Sequence, residues 1–473
     1  MPPAITVSDP NMTMAKLDTL PGRAASARLA PTRTGSIGLR LAGLRARVLA
    51  SMGALLVGQG VTAGIQLLSL PLFLHFWDAA QYGKWVMLTA VPAYFAMSDA
   101  GLLPVAANRI SILHAAGRLD AANTVFQSAL ALVLVAIASI GTGAALVLAL
   151  VSGAALDRDS CIALWLLILA TLLGLFGGLY DAGFRAYGSY AHGVLFANAV
   201  RVLEFLGMGA GLYFGRTFAS TALGLLAGRG AGSLALWLYC HQKFPQLQWT
   251  LTHARREELR ELIKPALTFM AFPLGNALSI QAITLIVGAL FGTVVVAMFN
   301  SYRTLSRLVL QAAATFGHAL WAEFSRVYGS GDGPGLRILY RRSLLVGAGI
   351  SAVASLTMIP LAPLLLQLWT HGKIAYDAPE FVGFALVTLV GGMSVVPRVL
   401  LMSTNTHSRL GVLYLLISIF GVLATYPAGV ALGPMGAVLA SAALELAMLY
   451  LTLTLARRAM NEMAEPEHQA CVN

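Results

Sequence analysis

The chain has 473 residues, of which 58% are hydrophobic and 11% are charged, and its mean hydropathy is +0.76. Soluble domains carry about 25% charged residues, so the charged fraction of this chain is too low to cover a surface that is mostly exposed to water. This composition also excludes a protein that is disordered over most of its length, because disorder requires low hydrophobicity and high charge. Glycines and prolines lie within long apolar runs, and segments of ~10 alternating residues do not occur. The composition therefore predicts an all-α polytopic membrane protein rather than a β-barrel.

The apolar runs predict about twelve transmembrane helices, because each crossing requires roughly 20 apolar residues. The predicted spans are 48–77, 83–108, 123–152, 160–183, 193–215, 218–241, 262–291, 293–321, 338–369, 378–402, 410–432 and 434–456. The predicted regions are a mostly disordered cytoplasmic tail (1–47), an N-lobe of six helices (48–241), a cytoplasmic linker (242–261), a C-lobe of six helices (262–458) and a cytoplasmic tail (459–473).

The basic residues are distributed unequally between the two sides of the predicted bundle. With the N-terminus in the cytoplasm, 22 of the 31 lysines and arginines lie on the cytoplasmic side, four lie outside and five lie within spans. This excess predicts cytoplasmic termini, because positive residues accumulate on the inner side of membranes. The net charge of +11 is then a topology signal, with membrane lipid headgroups rather than nucleic acid as the partner.

The two predicted lobes form an internal repeat. When the first half of the chain is shifted by 214 residues, its spans match those of the second half within a few residues in hydropathy and loop pattern, and the connection Trp77–Trp85 falls on Phe291–Phe299. Six spans in each half make the repeats parallel to each other. We therefore expect two parallel six-helix lobes around a central cavity, with alternating access as the mode of action.

Two stretches carry a family resemblance. PLFLHFWDAAQYGKWVMLTAVPAYFAMSDAGL (Pro71–Leu102) includes the Tyr82-Gly83 pair, Trp85 and the Asp99-Ala100-Gly101 step. It resembles the opening helices of Wzx-type polysaccharide flippases of the multidrug/oligosaccharidyl-lipid/polysaccharide (MOP) exporter superfamily. HALWAEFSRVYGSGDGPGLRILYRR (His318–Arg342) is similar to the second-half counterpart.

This resemblance implies a flippase that moves a polyprenyl-pyrophosphate-linked oligosaccharide to the outer leaflet of the bacterial inner membrane. The product would enter exopolysaccharide or O-antigen (lipopolysaccharide) assembly, with polysaccharide polymerase machinery as a candidate partner.

The eighth predicted span carries the clearest polar pattern in the chain. Its polar residues, spaced 3, 4, 4, 4 and 3 apart, are Asn300, Arg303, Arg307, Gln311, Thr315 and His318. On a helix they fall within about 60° of Asn300, on one face, and extend about 27 Å. Arginines facing lipid are costly, so this stripe should face a cavity or pair with buried acids. Because arginine offers a planar fork to phosphate oxygens, Arg303 and Arg307 are predicted to bind the anionic headgroup.

Other candidates lie on three further spans. The first span carries a weaker stripe of Gln59, Thr62, Gln66 and Ser69, and Thr62 corresponds to Asn276 in the repeat. We predict that Asn300, Gln311, Gln59, Gln66 and Asn276 contribute to substrate binding, although such residues also hold helices together. Asp99 is predicted either to couple ion flow or to neutralise Arg303 or Arg307.

The other charged residues within or beside the spans are predicted to have structural roles. The spacing of Arg201 and Glu204 favours an intrahelical pair, Asp181 and Arg185 should pair at a span end, and Arg398 should extend to the interface.

The sequence contains no motif of an enzyme, a metal site or a nucleotide cofactor. One alternative is a drug/cation antiporter of the same superfamily, which would require acidic residues facing the cavity. Another is a membrane-embedded glycan polymerase or ligase, which would require a large outer loop. The longest predicted outer loop is near Thr370–Asp377, so we expect a transporter rather than an enzyme.

Overall fold

The computed structural model describes residues 33–97, 101–151, 156–329, 332–404 and 408–462, and most of these residues are helical. Sixteen helices form within these ranges: α1 (Arg33–Phe76), α2 (Ala79–Phe95), α3 (Leu102–Ala115), α4 (Leu119–Val151), α5 (Arg158–Gly174), α6 (Phe176–Ala186), α7 (Tyr190–Gly215), α8 (Phe218–Lys243), α9 (Arg256–Ala277), α10 (Ile283–Phe291), α11 (Thr293–Gly329), α12 (Gly333–Thr370), α13 (Ala378–Met393), α14 (Val395–Ser403), α15 (Ser408–Leu432) and α16 (Pro434–Glu462). A π-helical turn, Leu278–Ala282, joins α9 to α10. The predicted all-α membrane architecture is confirmed.

Four of the twelve predicted spans are broken into two helices, namely α2–α3, α5–α6, α9–α10 and α13–α14. Among the described residues, ten stretches are long and apolar enough to cross a membrane. The predicted spans 83–108 and 293–321 are not among these ten. The first is divided into helices of 17 and 14 residues on either side of 98–100, which lie outside the described ranges. The second is the 37-residue α11, whose polar stripe lowers its hydropathy, yet α11 packs inside the bundle against α2, α12 and α13.

The two lobes repeat the same order of helices. Helices α2 and α11 begin at Ala79 and Thr293, and α4 and α12 begin at Leu119 and Gly333, so both pairs have the same offset in sequence. The paired breaks in α5–α6 and α13–α14 follow the same order. The predicted register of the repeat therefore agrees with these boundaries, while α5, α7 and α8 begin 220, 218 and 216 residues before α13, α15 and α16. An even number of crossings gives both lobes the same orientation.

The two lobes are in close contact at the end of the bundle where α1 is followed by α2 and α10 by α11. A Cβ atom at Gly83 would lie 1.7 Å from the carbonyl oxygen of Thr293, so only glycine permits this approach of α2 to α11. Trp369 Nε1 donates a 2.6 Å hydrogen bond to the carbonyl of Leu67 on α1. The ammonium of Lys373 donates to the carbonyls of Leu74 and Trp77, at the end of the same helix. These contacts close the bundle at one end, which is the outer end in the predicted topology.

The connection between the lobes is docked onto α4 rather than extended. Helix α4 contributes Asn123, Gln127 and Ser128, whose side-chain oxygens accept hydrogen bonds of 2.7–2.9 Å from backbone amides of residues 248, 253 and 255. Helix α9 begins within the predicted linker, at Arg256. Since buried backbone amides require partners, these three polar side chains explain how a long polar segment is held in one conformation.

Candidate functional site

The predicted polar stripe lies on one continuous helix, α11, but its members serve different contacts. Asn300 donates from Nδ2 to the hydroxyl of Tyr82 on α2, over 2.8 Å. Gln311 donates from Nε2 to Oε1 of Gln66 on α1, over 3.0 Å. Both bonds join the C-lobe to the N-lobe. Between these two contacts the stripe presents Arg303 and Arg307 to a cavity.

This cavity, which we call the C-lobe cavity, has a volume of about 250 Å³ and lies among α9, α10, α11, α13, α14, α15 and α16. Its polar and charged lining residues are Asn276, Ser279, Arg303, Ser306, Arg307, Thr388, Arg398, Tyr414, Ser441 and Glu445. The three arginines and one glutamate leave two positive charges without a negative partner in the lining. Such a cavity favours a ligand with negative charge.

Arg303 is held in place by neutral acceptors. Its Nη1 donates to the carbonyl of Ile280 over 3.0 Å, and its Nη2 donates to Thr284 Oγ1 over 3.0 Å and to Asn300 Oδ1 over 2.9 Å. Ile280 belongs to the π-helical turn, a local distortion that is frequent at functional sites. The Arg303 guanidinium also lies 5.7 Å from the ring centre of Phe299. These contacts fix the side chain while leaving its charge without a carboxylate partner among the described residues.

Arg307, Arg398 and Glu445 face the same cavity with few direct partners. Among the described residues, neither Arg307 nor Glu445 makes a side-chain hydrogen bond or a salt bridge. Arg398 donates from Nη2 to Ser394 Oγ over 2.9 Å, while its buried Nε has no partner in the described part of the chain. The expectation that Arg398 extends to the membrane interface is therefore wrong. Unpaired hydrogen-bonding groups beside a cavity are available to a ligand.

A second cavity, which we call the N-lobe cavity, has a volume of about 490 Å³ and opens among α1, α5, α6, α7 and α8. Its polar and charged lining residues are Gln59, Thr62, Tyr180, Asp181, Asn198, Arg201, Glu204, Arg229 and Ser233. Two arginines and two acids balance each other in this lining. Arg201 Nη1 donates to Thr62 Oγ1 over 3.2 Å, and Asp181 pairs with Arg185 over 2.6 Å, as predicted.

Glu204 pairs across two helices rather than along one. Arg229 Nε and Nη2 donate to Oε1 and Oε2 of Glu204 over 2.6 and 2.9 Å, and Nη1 donates to the carbonyl of Ala170 over 2.9 Å. The predicted pair of Arg201 with Glu204 is therefore wrong.

Glu204 pairs with Arg229 because α7 and α8 approach each other closely. A Cβ atom at any of four glycines in these helices would lie 2.0–2.2 Å from a backbone oxygen of the other helix. These are Gly207, Gly211, Gly224 and Gly228. The two glycines on each helix are four residues apart, and this spacing in a sequence indicates helices in close contact.

The predicted binding residues are thus divided between several locations. Arg303, Arg307 and Asn276 line the C-lobe cavity, and Gln59 lines the N-lobe cavity. The other three, Asn300, Gln66 and Gln311, make the contacts between lobes described above. The predicted ion-coupling residue Asp99 lies outside the described residues. Sequence reasoning gave Arg398 and Glu445 no part in substrate binding, because the only available signal was a charge within a predicted span.

No protein-family model and no curated protein sequence matches this chain. Solved structures do match it. An inward-facing multidrug resistance MATE family transporter of the MOP superfamily is similar with a TM-score of 0.69 and 15% identity, over 85% of this chain and 99% of that chain. An outward-facing MATE family transporter is similar with a TM-score of 0.62 and 14% identity, over 89% of this chain and 96% of that chain.

A third structure is a MOP superfamily transporter from Pyrococcus furiosus Vc1, for which a binding pocket of reverse polarity suggests a different function. It is similar with a TM-score of 0.62 and 13% identity, over 88% of this chain and 96% of that chain. At these identities the likeness establishes the fold alone. The chain is therefore a two-lobe helical membrane protein with the fold of MATE transporters of the MOP superfamily.

Proposed function

We propose that the protein is a flippase that carries an anionic lipid-linked glycan, of the polyprenyl-pyrophosphate class, across the bacterial inner membrane. The observation that carries this proposal is the C-lobe cavity, where Arg303, Arg307 and Arg398 outnumber Glu445. A guanidinium presents two parallel N–H groups to phosphate oxygens and is weakly hydrated, so arginines suit the recognition of a pyrophosphate within a membrane. The oligosaccharide and polyprenyl portions follow from the sequence resemblance.

Transport by alternating access is supported by the closed end of the bundle. Gly83, Trp369 and Lys373 bring the lobes together at that end through contacts between residues of different lobes. The likeness is higher to the inward-facing relative than to the outward-facing one, with TM-scores of 0.69 and 0.62. Opening these contacts while the opposite end closes would expose the cavities to the other side of the membrane. The termini are proposed to be cytoplasmic.

A second candidate is the export of cationic drugs, because two of the structures with this fold are multidrug resistance transporters. A cationic substrate requires acidic groups that face the cavity. In the N-lobe cavity Glu204 and Asp181 are already paired with arginines, and in the C-lobe cavity Glu445 faces arginines. The N-lobe cavity is balanced in charge, and the excess positive charge of the C-lobe cavity favours the anionic substrate over the cationic one.

The test compares the two substrates in proteoliposomes that contain the purified protein. A fluorescent polyprenyl-pyrophosphate sugar, bleached by impermeant dithionite, reports transfer between leaflets, and a cationic dye reports drug transport. A charge-assisted hydrogen bond contributes about 1.5–3 kcal/mol, so Arg307→Ala should slow transfer of the lipid by more than about tenfold. Arg326→Ala is the matched control, since Arg326 lies on the same helix outside the cavity and pairs with Glu323.

Transport of the dye without transfer of the lipid would support the drug antiporter and contradict the flippase. An unchanged rate of lipid transfer for an abundant Arg303→Ala, Arg307→Ala double variant would also contradict it, because the arginines would then be dispensable.

A further inference from the structure

The repeat places opposite charges at equivalent positions of the two lobes. Arg229 on α8 and Glu445 on α16 occupy the same position counted from the first residues of these helices, Phe218 and Pro434. Each side chain lies against a glycine of the neighbouring broken helix. A Cβ atom at Gly174 would lie 2.8 Å from Arg229 Nη1, and a Cβ atom at Gly391 would lie 3.2 Å from Glu445 Oε2. The two lobes therefore have equivalent charged positions of opposite sign, each packed against a glycine.

Only the N-lobe charge has a fixed partner among the described residues. Arg229 forms a bidentate pair with Glu204 on α7. Counted back from the last residues of α7 and α15, the position equivalent to Glu204 is Gly421 on α15. Gly421 has no side chain to offer, and a Cβ atom there would meet Leu444 at 2.6 Å. The paired helix in the C-lobe therefore provides no cation for Glu445 at this position.

The opposite charges near Glu445 come from across the cavity. Arg398 on α14 and Arg307 on α11 act on it electrostatically, and the hydroxyl of Tyr414 on α15 is the other titratable group that it influences. Helices α10 and α13 line this cavity with residues such as Ile283 and Thr388, which carry no titratable group. None of the described groups forms a salt bridge to Glu445 within 4.0 Å. The carboxylate thus neutralises the arginines at a distance and leaves space between the charges.

We propose that Glu445 is an exchangeable counter-ion, which balances Arg307 and Arg398 in the empty transporter and is displaced from them by the anionic headgroup. This inference rests on the proposed function. A phosphate that occupies the guanidinium groups removes the charge that stabilises the Glu445 carboxylate within the membrane. One carboxylate oxygen then accepts a proton from solvent water and becomes a neutral acid. Binding of the headgroup therefore takes up a proton at Glu445, and release of the headgroup returns it.

The experiment measures binding of a soluble pyrophosphate diester to the purified full chain in detergent. Both phosphates of this probe are esterified, so its charge does not change between pH 5 and pH 8. Isothermal titration calorimetry in buffers of different ionisation enthalpy measures the affinity and the number of protons taken up. For the wild type we expect proton uptake, and an affinity that rises by up to about tenfold for each unit of decreasing pH.

The variant Glu445→Gln lacks both the competing charge and the proton acceptor. It should bind the probe more tightly than the wild type at pH 8, with no proton uptake and little dependence on pH. Glu445→Asp keeps the carboxylate and should keep the proton uptake, which separates this role from one in packing. Glu204→Gln is the matched control, because it removes a carboxylate that is already paired in the other lobe and should leave proton uptake unchanged.

The outcomes separate this inference from the proposed function. If Glu445→Gln binds the probe with the affinity, pH dependence and proton uptake of the wild type, Glu445 is not the exchanging group. If neither the wild type nor any variant binds the probe, the anionic substrate itself is wrong and the proposed function fails. If proton uptake is lost in Glu204→Gln but not in Glu445→Gln, the N-lobe carboxylate is the exchanging group and the inference is overturned.

Discussion

The ion pair between Glu204 and Arg229 should be a major source of stability in the N-lobe. Arg229→Ala removes two hydrogen bonds to the carboxylate and one to the carbonyl of Ala170, and it leaves Glu204 without a partner. The two side chains are 16% and 25% exposed, so the remaining carboxylate would be poorly solvated. Breaking a buried pair on one side costs about 3–5 kcal/mol, and for this partly exposed pair we expect a loss of about 3 kcal/mol in the free energy of unfolding.

The measurement is reversible unfolding in mixed detergent micelles, with Arg229→Ala, Glu204→Ala and the double variant. Because the two residues contact each other, the double variant should be destabilised by less than the sum of the single variants, by at least about 1.5 kcal/mol. Arg326→Ala is the matched control, since its pair with Glu323 is 76% and 50% exposed and should contribute less than about 1 kcal/mol.

The same series tests the pairing that helical spacing alone suggests. If Arg201 were the partner of Glu204, Arg201→Ala would destabilise the protein as much as Arg229→Ala, whereas the structure predicts a smaller loss because Arg201 bonds to neutral groups. A free energy of unfolding for Arg229→Ala within about 0.5 kcal/mol of the wild type, with an additive double variant, would refute the cross-helix pair.

Three further predictions concern the C-lobe cavity, the closed end and a surface pair. Arg303→Lys should retain part of the lipid transfer activity and Arg303→Ala almost none, because lysine keeps the charge but cannot replace the two Nη groups. Equal transfer rates for the two variants at equal abundance would contradict this prediction. Gly83→Ala would place a Cβ atom 1.7 Å from the carbonyl oxygen of Thr293, so it should prevent closure and slow transport, and an unchanged rate would show that the contact is not required. The Lys84 ammonium lowers the pKa of Asp157 from 3.8 to about 2, so this carboxylate stabilises the fold above about pH 4 and ceases to do so as pH falls through about 2. The difference in melting temperature between wild type and Asp157→Asn should therefore be constant from pH 7 to pH 5 and decline below pH 4; a constant difference at all pH values would exclude the pair as its origin.

The amino-acid sequence was sufficient for the architecture because burial in lipid constrains every segment that crosses it. Long apolar runs, the similar order of connections in the two halves and the polar stripe on α11 are all local properties, which can be counted along the chain. The stripe predicted that Arg303 and Arg307 share one helical face, and both line the C-lobe cavity. For a similar reason the pair of Asp181 and Arg185, four residues apart, was correctly predicted.

Only the tertiary structure revealed which residues of different helices contact each other. The spacing of Arg201 and Glu204 permits a local pair, but the glycines of α7 and α8 bring Arg229 within 2.6 Å of Glu204. Arg398 and Glu445 are far apart in sequence, and only the break between α13 and α14 and the packing of α16 place both at one cavity. The helical period specifies the face on which a residue lies, whereas the partner of that face depends on the packing of the whole bundle.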